Sequence, residues 1–164
     1  MGVQIQNDEA VLSVWETMME ENRDVFDSDM ERTFLAMKIV VQCIDLSVRE
    51  GLLAVEEFAD DECGIGKENI PLWEYFRPVV WIVVQVAWGD MLEKVRWMLY
   101  SLMESYHYKG SQAVQGFVYM VCGIVIAEGG SAESAQAFFR SLVPESQRDA
   151  FDECFLSGGH AHDH

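Results

Sequence analysis

Pro78-Val-Val-Trp-Ile-Val-Val-Gln-Val-Ala-Trp88 admits two readings: a strand, on its β-branched content, or a helix enclosed on nearly every side. No second strand exists elsewhere for it to pair with, and an isolated strand leaves its backbone N–H and C=O groups unmet. The run is therefore expected to be helical, and the chain with it all-α.

The flanking sequence points the same way. Phe34, Met37, Val41, Ile44, Val48, Leu52 and Val55 recur at three- and four-residue spacing, while Lys38, Gln42, Asp45, Arg49 and Glu56 mark the opposite side, which predicts one long helix. Leu35, Ile39, Val40, Leu46 and Leu53 widen its apolar stripe, so more than one neighbour is expected to pack there. Gly51, within that helix, costs about 1 kcal/mol of helix propensity relative to alanine and suggests a close approach to its backbone. A shorter amphipathic helix is expected over 7–21 (Val11, Val14, Trp15, Met18, Met19), followed by a turn at 22–29 with Asp27, Ser28 and Asp29 as candidate caps. Residues 59–71 read as a loop. Asp90 and Glu93 resemble a capping box opening a helix with an apolar face of Met91, Val95, Met98, Leu99, Leu102 and Tyr106, which Gly110 stops. A helix over 111–128 ends at Gly129-Gly130. Ser131 caps the next, carrying Ala135, Phe138, Phe139 and Leu142, and Pro144 suits the first turn of a last helix bearing Phe151, Cys154 and Phe155. The expectation is one compact domain of about six to seven helices over 1–157, with a flexible His-rich tail over 158–164 released by Gly158-Gly159.

A formal net charge of −17 repels phosphate backbones and anionic headgroups, which argues against nucleic acid and membrane surfaces as partners and favours a protein with a basic face. The most apolar runs, 79–88 and 117–127, fall short of the roughly 20 residues of a spanning helix. Cys43, Cys63, Cys122 and Cys154 are scattered, with no CxxC pair. Three of them sit in apolar helical patterns, so buried free thiols and a reducing cytoplasm are expected, in line with an N-terminus that does not read as a signal peptide.

Little in the chain looks catalytic. Gly64-Ile65-Gly66-Lys67 lacks the spacing of a phosphate loop and the hydroxyl residue that follows its lysine. His107, between two tyrosines near a helix end, is expected to interact with the last carbonyls. The pairs Glu56-Glu57 and Asp60-Asp61 form no Glu-x-x-His repeat of a di-iron bundle, and His160, His162, Asp163 and His164 sit in the flexible tail. No enzyme activity, cofactor or metal is expected. Two alternatives stay open. One is a small-molecule-binding domain or enzyme with an apolar pocket lined by Trp81, Trp88, Trp97 and methionines, the other a homo-oligomer pairing its apolar helix faces.

Asp45-Leu-Ser-Val-Arg-Glu-Gly-Leu-Leu-Ala-Val-Glu56 resembles the Arg-Glu-Gly-Leu-Leu-Ala-Leu-Glu signature in the cytoplasmic region of flagellar stator A subunits, the MotA branch of the MotA/TolQ/ExbB family. Gly123-Ile-Val-Ile-Ala-Glu-Gly129 and Phe139-Arg-Ser-Leu-Val-Pro144 are similar to that family's C-terminal segment, and the resemblance spreads over 30–144. The family's spanning helices have no counterpart here, so no ion path is expected. The resemblance implies a cytoplasmic, non-catalytic docking module of a motility system, meeting a flagellar rotor protein through charged residues: Glu56 most directly, Arg49 adjacent, with Glu50 and Glu57 beside them. Val48 stands where the family usually has a basic residue.

Overall fold

Every residue from 113 to 126 is buried, and a helix that is apolar all round has to be surrounded. This central helix is α6 (Ser111–Glu128), and among the helices that pack on it are α1 (Glu9–Glu21), α2 (Met30–Glu50), α4 (Trp73–Val86) and α5 (Leu92–Tyr106). α3 (Leu52–Ala59) bridges α2 and α4, while α7 (Ala132–Leu142) and α8 (Arg148–His162) cover the other flank of α2. The computed structural model describes residues 5–23, 30–60, 66–86 and 92–162, with 157–162 described by their backbone alone. Among the described residues there are eight α-helices and no strand, so the all-α expectation holds and the count exceeds six to seven. α6 is long and apolar enough to cross a membrane, but here other helices enclose most of its surface.

The extra helix arises at Gly51. Its backbone lies at φ 95° and ψ 178°, a region essentially reserved for glycine, so the expected long helix breaks there into α2 and α3. The expected close approach is absent among the described residues, since nothing lies within 4 Å of where a Cβ would stand. Val48, in the last turn of α2, is 67% exposed rather than in the core.

α4 begins five residues before Pro78, which therefore sits inside a helix. Proline has no N–H for the Glu74 carbonyl one turn earlier. The Tyr106 hydroxyl donates to that carbonyl instead, at 3.1 Å, so the end of α5 repairs the start of α4. Gly110 does not stop α5. The helix ends at Tyr106, where His107 takes a left-handed φ of 53°, and Gly110 is the N-cap of α6. The C-terminal end of α6 is as expected, with Gly129 left-handed and the Gly130 N–H donating to the Val125 carbonyl at 2.8 Å. The Ser131 side chain caps α7 by accepting from the Ser134 N–H at 3.1 Å. α8 continues through Gly158-Gly159 to His162. The candidate caps at 27–29, the Asp90 half of the capping box, Cys63 and Trp88 lie outside the described residues.

Candidate docking surfaces

The four residues singled out for partner binding flank the Gly51 elbow. Arg49 and Glu50 close α2, and Glu56 and Glu57 lie on α3. Arg49 Nε lies 2.8 Å from Asp45 and Nη1 3.6 Å from Glu50, all three side chains being more than half exposed. Exposed pairs of this kind contribute about 0.3–0.5 kcal/mol and leave the side chains free to re-pair. Glu57 is exposed and Glu56 half-buried, so the residue expected to make the most direct contact is the less accessible one. Val48 and Leu53, 67% and 68% exposed, add apolar surface to either side of the elbow.

Helix geometry extends this corner into a belt. The Trp73 indole N–H donates to the Ala59 carbonyl at 2.9 Å, joining the end of α3 to the start of α4, so the two helices run antiparallel. Six residues back from Ala59 is Leu53 and eight forward from Trp73 is Trp81. The Tyr106 bond to Glu74 likewise joins the end of α5 to the start of α4. Trp81 is 52% exposed and Trp97 67%. Leu53, Trp81 and Trp97 thus lie on three neighbouring helices, α3, α4 and α5, and each faces solvent.

The alternative reading placed Trp81 and Trp97 with Trp88 in the wall of an apolar pocket; Trp81 and Trp97 face outward. The signal was available in the sequence: Trp81 has Arg77 and Gln85 one turn to either side, and Trp97 has Glu93 and Ser101. Both tryptophans therefore sit on polar faces.

A groove of about 610 Å³ lies elsewhere, between α1 and α5 with α6 beneath. At one end the Arg96 guanidinium hydrogen-bonds Asp8, the N-cap of α1, and donates from Nε to Glu128 at 2.7 Å and from Nη1 to the Tyr100 hydroxyl at 3.2 Å. At the other end the Gly110 N–H donates to the Asn22 side chain at 2.7 Å. Burial pushes the Asp8 carboxyl up, but hydrogen bonds from Arg96 and from the Val11 and Ala10 amides outweigh it and hold the group below its usual value. Tyr108, in the groove wall, is pushed up to about 12 by burial and by the Glu74 carboxylate that its hydroxyl contacts at 3.3 Å. That wall stays neutral through ordinary pH. His107 lines the groove with its side chain exposed, and its part in ending α5 is the left-handed backbone. Among the described residues no three His, Cys, Asp or Glu side chains gather as metal ligands would. Compared with known protein families, curated proteins and solved structures, the chain matches none of them.

Proposed function

We propose that this chain is a non-catalytic protein-docking module of the cytoplasm. Its contact face is the Leu53, Trp81 and Trp97 belt, bounded at the elbow by Arg49, Glu50, Glu56 and Glu57. The observation that carries this reading is the pair of outward tryptophans on adjacent helices. Exposed tryptophan is uncommon on a surface with no partner, and tryptophan is over-represented among the residues that dominate interface energies. The net charge of −17 gives the sign of the partner, a protein whose basic face surrounds an apolar centre, with encounter steered by charge and weakened by salt. The resemblance of 45–56 to stator A subunits makes a flagellar rotor protein the first partner to try.

The test is capture of purified rotor protein on the immobilised chain at low ionic strength, with Trp81→Ser and Trp97→Ser alongside. Binding should fall at least tenfold in the double variant while its helical circular dichroism stays unchanged, because both side chains are mostly outside the core. No capture even at low salt would remove the rotor as partner. A partner found by other means whose affinity ignores both tryptophans would remove the belt.

A further inference from the structure

We infer that the groove between α1 and α5 is a second docking site, one that takes a basic, amphipathic helical segment of a partner protein. This goes beyond the belt and does not depend on it.

The groove is built by two pins. Arg96 ties α5 to Asp8 at the start of α1, and Gly110, just past α5, is tied to Asn22 at the end of α1. Asp8 and Asn22 cap the two ends of α1, while Arg96 and Gly110 stand near the start and just past the end of α5, so the two helices run in the same direction. Both pack on α6, whose small Ala113 and Gly116 form the floor between them and give the groove its depth. Met18 and Met103 line its walls, together with the phenol rings of Tyr100 and Tyr108. Methionine walls adapt to apolar side chains of different shape, a property of surfaces that receive amphipathic helices.

Charge selects the occupant. The lining carries the carboxylates of Glu21 and Glu104, both exposed, together with the His107 imidazole, and contains no lysine or arginine. Arg96 is engaged by Asp8 and Glu128, and the exposed Arg23 and Lys109 follow the lining residues Asn22 and Tyr108 in the chain without lining the groove themselves. An apolar trough rimmed by two carboxylates on a chain of net charge −17 matches a helix with leucine-like residues on one face and lysine or arginine along its edges. A second copy of this chain would bring the wrong sign.

The experiment uses the full chain with ¹³C-methyl methionine and, as probe, a 14-residue peptide of leucine and lysine that forms one apolar helical face. A permuted peptide of identical composition without that face is the control. The Met18 and Met103 methyl resonances should shift with the first peptide and stay in place with the second. Thr17→Trp, an exposed rim change that fills the trough without altering charge, should weaken binding at least tenfold. Trp81→Ser with Trp97→Ser should leave it unchanged, which separates this site from the belt. Equal binding of the permuted peptide, shifts spread evenly over all surface methyls, or indifference to Thr17→Trp would reduce the effect to adhesion on an acidic surface and overturn the inference. Shifts at Met18 and Met103 with butylammonium but not with the peptide would also overturn it, by assigning the groove to small cations.

Discussion

Replacing Arg96 with methionine keeps most of the side chain's bulk and removes its charge. It leaves Asp8, 7% exposed, and Glu128, 17% exposed, facing each other with no cation between them. Removing one partner of a buried ion pair costs about 3–5 kcal/mol, chiefly because the surviving charge is stranded. Partial exposure of Glu128 and of Arg96 itself, 22%, places the expected cost near the lower end, about 3 kcal/mol. For a domain of this size that corresponds to a fall in melting temperature of about 6–12 °C. Asp8→Asn sharpens the test, because asparagine caps a helix as well as aspartate does and the substitution removes only the charge. Chemical denaturation of both single variants and the double variant should give costs that fall short of additivity by about 1.5 kcal/mol or more. The pH dependence has a definite sign. In the wild type Asp8 is held below its ordinary value of 3.8, so its stabilising contribution is full above that pH and is lost as pH falls through the lower folded value. In Arg96→Met only the backbone hydrogen bonds oppose burial, and protonation relieves the variant's penalty as pH falls. The gap between the two proteins should be widest near neutrality and narrow towards pH 3. A cost below about 1 kcal/mol, strict additivity with Asp8→Asn, or a gap that widens on acidification would show that this cluster does not pin α1 to α5.

Gly51→Ala should cost about 1–3 kcal/mol, entirely through backbone strain because the space around the site is open; thermal melts that match wild type would mean the elbow relaxes into a continuous helix. Site-resolved thiol labelling of the native protein should modify half-buried Cys154 well before Cys43 and Cys122, which are buried. Hydrogen bonding to Cys43 and burial raise the Cys122 thiol further, so rapid labelling of either buried thiol without unfolding would contradict the packing of α2 on α6.

The sequence reading found helices wherever an apolar stripe repeats, because that periodicity is local. It missed the break at Gly51 for the same reason, since Val48, Leu52 and Val55 keep their spacing across the elbow while the backbone between them turns. The start of α4 was hidden because a proline in a second turn reads as a boundary unless something else satisfies the freed carbonyl. Here the donor is Tyr106, 32 residues away from Glu74. The two pins of the groove, Asp8 to Arg96 and Asn22 to Gly110, each join residues 88 apart, and no local pattern announces either.

α5 shows why the surfaces were harder to read than the fold. Met91, Val95, Met98, Leu99, Leu102 and Tyr106 repeat in the pattern of a helix covered along its whole stripe. In the structure only Val95 and Leu99 are buried along its length, whereas α6 is buried through nearly four turns. The cause is a shortage of neighbours: α4 covers one flank of α5 and α6 its inner face, and α1 is held off on the other flank by pins at its two ends. Met98, Leu102 and Met103 are therefore only half covered. Hydrophobic periodicity reports how wide a stripe is, and the area left after the neighbours have packed depends on where they stop. On α5 that remainder is divided between Trp97 on the belt and Met103 in the groove, so one helix carries parts of both proposed contacts.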